Sequence, residues 1–133
     1  MSRPSDVVRR LVAEVINGGD LDLLEELCVE PLAPKLRQAF AEFRAAFPDW
    51  HQEIVELVTE GETVVARFRC TGTQRGAWRG LPPTERRMKV DEVYFVRITD
   101  GRIRSLWGLE DTWTRIRQLR GVAGDMGELG SLS

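Results

Sequence analysis

The hydrophobic pattern of this chain changes its period once, at Pro48, and this change limits the folds that the chain can form. Before Pro48, apolar residues recur at steps of three and four, which is typical of helices with one buried face. After Pro48, apolar and polar residues alternate, which is typical of strands with one buried face. Helices followed by consecutive antiparallel strands predict an α+β fold.

The pattern predicts three helices before Pro48, then four strands and a closing helix that begins at Asp111 or Thr112. The strands are predicted at 51–59, 62–71, 88–98 and 102–109. A length of 133 residues is typical of one domain, and no repeat or linker divides the chain. We therefore expect one domain over 1–121. Residues 122–133 lack apolar periodicity and are expected to form a flexible tail.

Composition argues against several classes of function. A net charge of -2 and a pI near 5.5 are unlike a dedicated nucleic-acid-binding protein. No apolar run is long enough to cross a bilayer and no signal peptide is visible, so we expect a cytoplasmic protein that binds no membrane. One histidine, two isolated cysteines and scattered carboxylates make no metal-ligand set, so we expect no metal and no cofactor.

The second half of the chain carries a succession of short motifs. They are Phe47-Pro48-Asp49-Trp50-His51, Glu60 to Val65, Thr71-Gly72-Thr73, Gly76-x-x-x-Gly80 to Thr84, Arg97 to Ile103, Trp107 to Asp111, and Gln118-Leu119. In this order and spacing they resemble the SnoaL-like polyketide cyclase family, within the nuclear transport factor 2-like (ketosteroid-isomerase-like) superfamily. The resemblance covers about half of the chain.

The resemblance implies a cone-shaped barrel, in which helices pack over a strongly curved antiparallel sheet and enclose an apolar pocket. It implies a small hydrophobic organic substrate and a cofactor-independent aldol ring closure of the kind that polyketide cyclases perform. Relatives also include isomerases, epoxide hydrolases, and non-catalytic binding or dimerising modules, so these alternatives stay open. Relatives commonly form homodimers through the outer sheet face, where Arg67 and Arg69 would then need acidic partners.

The chain departs from the family at its expected acid/base group. Family members often have His-Trp-Asp in the last strand, where the acidic residue transfers the proton. This chain has Leu106-Trp107-Gly108 at that place, so both flanking polar groups are absent. Another residue must therefore act as the acid/base group if the protein is an enzyme.

The third predicted strand offers a replacement. Alternation places Glu92 and Tyr94 on one face with apolar neighbours, and places the charged Lys89, Asp91 and Arg97 on the other. A carboxylate in an apolar cavity has a raised pKa and can act as a base, while a phenol can donate to a developing oxyanion. Alternatively, Glu92 pairs with an arginine and the Tyr94 hydroxyl points to solvent.

Three further residues are catalytic candidates. Glu110 has the strand parity of Gly108 and could replace the missing acid, while Asp111 either caps the last helix or takes part in catalysis. His51, the single histidine, is either structural or a proton carrier at the pocket mouth. Trp78 either packs in the core or covers the pocket. The residues expected to line the pocket are Phe40, Phe68, Trp78, Val90, Leu106 and Trp107, with Leu109 or its strand neighbours.

Overall fold

A computed structural model describes residues 3–121 of the chain. The helices are α1 (Pro4–Arg10), a π-helix (Leu11–Asn17) that continues it, a 3-10 turn (Leu21–Leu23), α2 (Leu24–Leu27), α3 (Ala33–Ala46) and α4 (Thr112–Leu119). The strands are β1 (His51–Glu60), β2 (Thr63–Thr73), β3 (Arg87–Thr99) and β4 (Arg102–Glu110). The predicted α+β class is confirmed, and each strand lies within two residues of its predicted bounds.

The four strands form one antiparallel sheet in the order β1-β2-β3-β4, so each strand pairs with its neighbour in the chain. Asp100 and Gly101 join β3 to β4 with φ values of 53° and 75°. Two consecutive residues with positive φ match the twist of a two-residue hairpin, which explains the Asp-Gly pair in the sequence. Next to this turn, the β3–β4 ladder has a register shift between Arg97 and Ile98.

The helices cover one face of the sheet, which we call the inner face. In β2, Val64, Ala66, Phe68 and Cys70 point to this face and are fully buried. The first helical segment contributes the other large part of the core. Its buried residues are Val7, Val8, Leu11, Val12, Val15 and Ile16. The single apolar stripe of these helices and the alternation of β2 therefore meet in one core.

Hydrogen bonds fix the segments between the helices and the sheet. Asp49 accepts hydrogen bonds from the backbone N–H of Thr73 at 2.6 Å and from its hydroxyl at 2.8 Å, which ties the end of the α3–β1 turn to β2. Gln74, which is fully buried, donates to the carbonyls of Gly76 and Leu81 and accepts from Thr84. Several of the motif residues quoted above therefore hold the connections between elements.

Two expectations are not settled by the fold. The predicted tail over 122–133 lies outside the described residues. The enclosed apolar pocket that the resemblance implies is not shown within residues 3–121. Within residues 3–121, no helix is long and apolar enough to cross a membrane.

Candidate functional site

Glu92 and Tyr94 lie on the inner face of β3 and meet a third polar side chain, Gln52 of β1. The Gln52 amide donates to the Tyr94 hydroxyl at 3.2 Å and also contacts a carboxylate oxygen of Glu92. The Tyr94 hydroxyl hydrogen-bonds the same carboxylate, and the Cys70 thiol lies 3.6 Å from it. Gln52 and Tyr94 are 1% and 5% exposed. The strand alternation thus assembles a buried polar cluster around one carboxylate.

The position of Gln52 follows from contacts with the first helical segment. Asn17, at the end of the π-helix, donates its side-chain amide to the Gln52 carbonyl at 2.9 Å. The Gln52 backbone N–H donates to the Asn17 side-chain oxygen at 2.8 Å. This pair of hydrogen bonds fixes the start of β1 against the helix. It also holds the Gln52 side chain over the inner face of the sheet.

Burial changes the acid strength of Glu92. Desolvation is the main cause that raises the pKa of its carboxyl to about 7, and the nearby Glu110 raises it further. Arg115 and the hydrogen bonds from Tyr94 and Cys70 act in the opposite direction. Burial likewise raises the pKa of Tyr94 well above its ordinary value. A carboxyl group with a pKa near 7 can both accept and release a proton at neutral pH.

Glu110 of β4 pairs across the sheet with Glu92, as its strand parity predicted. Its carboxylate forms an ion pair with Arg115 of α4, whose side chain is 1% exposed. Arg115 Nη1 and Glu110 Oε2 are in ion-pair contact, but neither atom makes a hydrogen bond of regular geometry. The arginine also stacks on the Phe43 ring, with its Cζ atom 4.7 Å from the ring centre. The cluster therefore contains two carboxylates and one guanidinium.

Gly108 explains the departure from the family motif in β4. It pairs with Tyr94 across the β3–β4 ladder. A Cβ atom at this position would lie 2.8 Å from the Tyr94 ring, closer than atoms in van der Waals contact can approach. The Tyr94 ring thus occupies space that an aspartate side chain at this position would need.

Two of the catalytic candidates lie outside the cluster. Asp111 caps α4, because its carboxylate accepts the Thr114 backbone N–H at 3.1 Å and the Thr114 hydroxyl. His51 is exposed, and the alternation of β1 turns its side chain away from Gln52 to the outer face of the sheet. The structure therefore brings together Glu92, Tyr94 and Glu110.

Trp107, one of the residues expected to line the pocket, lies on the outer face of the sheet. Trp107 is 56% exposed and packs edge-on against Phe95 on the outer face, with ring centres 5.8 Å apart. Leu109 pairs with Val93 on this outer face and is 60% exposed. The cause is strand parity, since Leu106, Gly108 and Glu110 occupy the inner positions of β4. Of the two neighbours of Leu109, Glu110 is the one whose side chain joins the cluster.

The other residues expected at the pocket are packed inside the protein. Phe68 is fully buried with its ring 4.8 Å from that of Tyr94, and Val90 is 3% exposed. Phe40 is buried against Trp50, with ring centres 5.7 Å apart. Leu106 is partly buried against the core.

Trp78 is buried at a tight turn rather than extended over an opening. Its backbone N–H and carbonyl bond those of Leu81, and the two intervening residues have positive φ. Its ring lies 6.0 Å from the ring of Phe47. Trp78 and Phe43 also line an open groove of about 560 Å³ between α3 and this turn. The two rings thus separate the interior from this groove.

Gln52 and Arg115 are two members of the site that the sequence pattern did not indicate. Gln52 directly follows the catalytic candidate His51, yet the alternation of β1 places the two side chains on opposite faces of the sheet. Arg115 is one of three arginines in the last predicted helix, and nothing local distinguishes the buried one from Arg117. Within residues 3–121, no group of three histidine, cysteine or acidic side chains is arranged to hold a metal ion.

Comparison with known proteins gives a family match over most of the chain. The pattern of the family described as SnoaL-like polyketide cyclase matches residues 6–119. The aklanonic acid methyl ester cyclase DnrD of Streptomyces peucetius is 31% identical over 133 residues, which cover 90% of this chain and 92% of that protein.

Solved structures share the fold. The crystal structure of wild-type IdmH from Streptomyces antibioticus superimposes with a TM-score of 0.79 at 26% identity, over 90% of this chain and 99% of that one. A SnoaL-like protein from Jannaschia sp. CCS1 gives a TM-score of 0.83 over 92% of this chain and 99% of its own. Its identity is 20%, so this second likeness concerns the nuclear transport factor 2-like fold alone.

Proposed function

Because this chain belongs to the SnoaL-like polyketide cyclase family, we propose that it is a cofactor-independent enzyme that closes a ring by moving protons. The substrate class is a small, largely apolar polyketide-type ester or ketone. Aklanonic acid methyl ester, on which the relative from Streptomyces peucetius is named to act, is the first compound to test.

The observation that carries this proposal is the buried Glu92 carboxyl, whose pKa is about 7. Removal of a proton from a carbon next to a carbonyl requires a base that is partly ionised at the working pH. Glu92 meets this requirement because it is enclosed between Gln52, Cys70 and Tyr94. It would take over the task that family members give to an acidic residue in the last strand.

The proposed reaction conserves every atom of the substrate. Glu92 takes the proton of an activated C–H group, and the electron pair of that bond moves to the carbonyl oxygen as an enolate. The enolate carbon then bonds to a second carbonyl carbon, whose oxygen becomes an alkoxide. The protonated Glu92 returns the proton to that alkoxide, so the product is an isomer of the substrate.

The direct test replaces Glu92 with glutamine, which has nearly the same shape but cannot accept the proton. We expect Glu92→Gln to lower kcat by about 10²- to 10⁴-fold, the usual effect of removing a general base. Ring closure is followed by absorbance and mass spectrometry. Exchange of the acidic C–H proton for deuterium, measured by NMR on the same ester, reports the first step alone. Asp111→Asn is a poor control because Asp111 caps α4, so Glu53→Gln, at an exposed position of β1, is used instead.

Two results would reject the assignment. Equal turnover and equal exchange in the wild type and Glu92→Gln would exclude Glu92 as the base. Binding of the ester by the wild type without exchange or ring closure would favour the other role in this family, a non-catalytic ligand-binding module. The absence of both polar residues that flank Trp107 in family members is the observation that makes this second role worth testing.

The outer face of the sheet supports a further proposal, that two copies of the chain form a homodimer. Phe95, Trp107 and Leu109 leave large apolar surfaces exposed on neighbouring strands there. Arg67 forms ion pairs with Asp91 at 3.1 Å and with Glu56 at 3.3 Å, so its charge is compensated within the same face. An apolar patch next to neutralised charges suits a second, identical patch better than a strongly charged partner.

A further inference from the structure

The buried polar atoms that lack hydrogen-bond partners are concentrated in one part of the protein. Among the described residues, the buried side-chain atoms without a hydrogen bond of regular geometry are Trp50 Nε1, Gln52 Oε1, Glu110 Oε2, and Nε and Nη1 of Arg115. Of these, Glu110 Oε2 and Arg115 Nη1 contact each other as an ion pair. Gln52 and Glu110 belong to the cluster around Glu92, while Trp50 and Arg115 both contact the Phe43 ring. A buried polar group without a partner costs about 1–3 kcal/mol. Gln52 Oε1 and Arg115 Nε are therefore buried polar atoms near the Glu92 carboxylate whose missing partners a ligand can supply.

Arg115 is the cation of this group. Its side chain is 1% exposed and lies between the rings of Phe43, Phe47 and Trp78, with Cζ 4.7, 5.7 and 5.2 Å from the ring centres. The rings of Phe43 and Trp78 also line the open groove of about 560 Å³. The guanidinium is therefore separated from solvent by aromatic rings on that side, and it faces the two carboxylates on the other.

We propose that Arg115 binds the oxygen atom of the substrate on which negative charge develops when Glu92 removes the proton. This inference rests on the proposed function and adds the electrophilic partner that the function requires. Before the transfer, the cluster holds the charges of Glu92, Glu110 and Arg115, with a sum of one negative charge. After it, Glu92 is neutral and the substrate oxygen is negative, so the sum is unchanged while the anion remains beside the guanidinium.

Tyr94 is less suited to this role than the sequence suggested, because its hydroxyl is already engaged by Gln52 and Glu92. Arg115 Nε, in contrast, has no hydrogen-bond acceptor, while its Nη1 is held by the ion pair with Glu110. The ion pair with Glu110 gives that residue the function of a positioning group, which holds the guanidinium next to Glu92.

The experiment uses 2-naphthol, whose ionised oxygen imitates an enolate, and a Glu92→Gln protein, whose amide imitates the protonated base. Absorbance and fluorescence titrations give the dissociation constants of the ionised and neutral forms. We expect the Glu92→Gln protein to bind the ionised form of 2-naphthol about tenfold more tightly than the neutral form, which is equivalent to 1.4 kcal/mol. The double change Arg115→Met with Glu110→Leu, made in the Glu92→Gln protein, is expected to abolish this preference. It removes both charges of the ion pair, so no buried charge is left alone.

The control is Arg117→Met in the same background, since Arg117 lies two residues further along α4 and stacks on Trp113 instead. It should leave the preference unchanged. Arg115→Lys, which keeps a charge at the site, serves if the double variant does not fold, and we expect it to weaken naphtholate binding several-fold. Retention of the preference in the folded double variant, unchanged naphtholate affinity in Arg115→Lys, or no preference in Glu92→Gln itself overturns the inference. In that case, a loss of turnover in Glu92→Gln would still support Glu92 as the base. The two proposals can therefore fail independently.

Discussion

At the scale of single residues, Glu92 links stability to activity. Its carboxyl is enclosed by side chains from β1, β2 and β3, and removal from water favours the neutral form. The folded protein therefore binds a proton at Glu92 more strongly than the unfolded chain does. The raised pKa of Glu92 should therefore affect the pH dependence of folding stability as well as the pH dependence of the reaction.

We expect the stability that Glu92 contributes to be greatest below pH 4.5 and to be lost as the pH rises through about 7. The reason is that the pKa of this carboxyl is raised from 4.5 to about 7 on folding. Relative to Glu92→Gln, the free energy of unfolding of the wild type should fall by about 2–3 kcal/mol between pH 4.5 and pH 8. Urea titrations of both proteins across this range measure the difference. A difference that is constant, or that grows with pH, would contradict the raised pKa.

The same titration predicts the pH profile of the reaction. The ionised carboxylate is the base, so kcat/KM should rise with pH and level off above about 7. A rate that levels off already near pH 5 would point to a carboxylate exposed to water, and would exclude Glu92 as the group that titrates.

At the scale of elements, the strands could be predicted because each carries its own alternation and is bounded by turn residues. The inner-face position of Glu92 and Tyr94 follows from parity alone. Parity also places Trp107 on the outer face, away from Glu92. The contact between Arg115 and Glu110 joins a helix to the preceding strand through side-chain packing, and short-range patterns do not encode such packing.

The β3–β4 pair gives a test of the departure from the family motif. Gly108→Ala should destabilise the protein by about 1–3 kcal/mol, because the added Cβ would lie 2.8 Å from the Tyr94 ring and overpack the site. Thermal or urea unfolding measures the change. In a Tyr94→Leu background the ring is absent, so the cost of Gly108→Ala should largely disappear. Additive effects of the two substitutions, within about 0.5 kcal/mol, would show that the residues do not compete for space.

At the scale of the whole molecule, the family and the architecture could be recognised from the sequence, whereas the assembly could not. Recognition succeeded because the motif residues that fix turns and connections, such as Asp49 with Thr73, lie in a fixed order along the chain. The exposed patch on the outer face depends on the cross-strand pairing of β3 with β4, which only the folded sheet shows. The patch supports a homodimer because the neighbouring charge of Arg67 is paired with Glu56 and Asp91.

A substitution at the centre of this patch tests the homodimer. Trp107→Glu places a charge where two apolar faces would meet, so we expect it to convert a dimer into a monomer at micromolar concentrations. Trp113→Glu is the matched control, since Trp113 is 53% exposed, close to the 56% of Trp107, but lies on α4. Sedimentation velocity measures the mass of both variants and of the wild type. A wild type that is monomeric at these concentrations, or a Trp107→Glu variant that remains dimeric, would exclude this face as the interface. Because the interface lies on the side of the sheet opposite Glu92, the monomer should keep its secondary structure by circular dichroism.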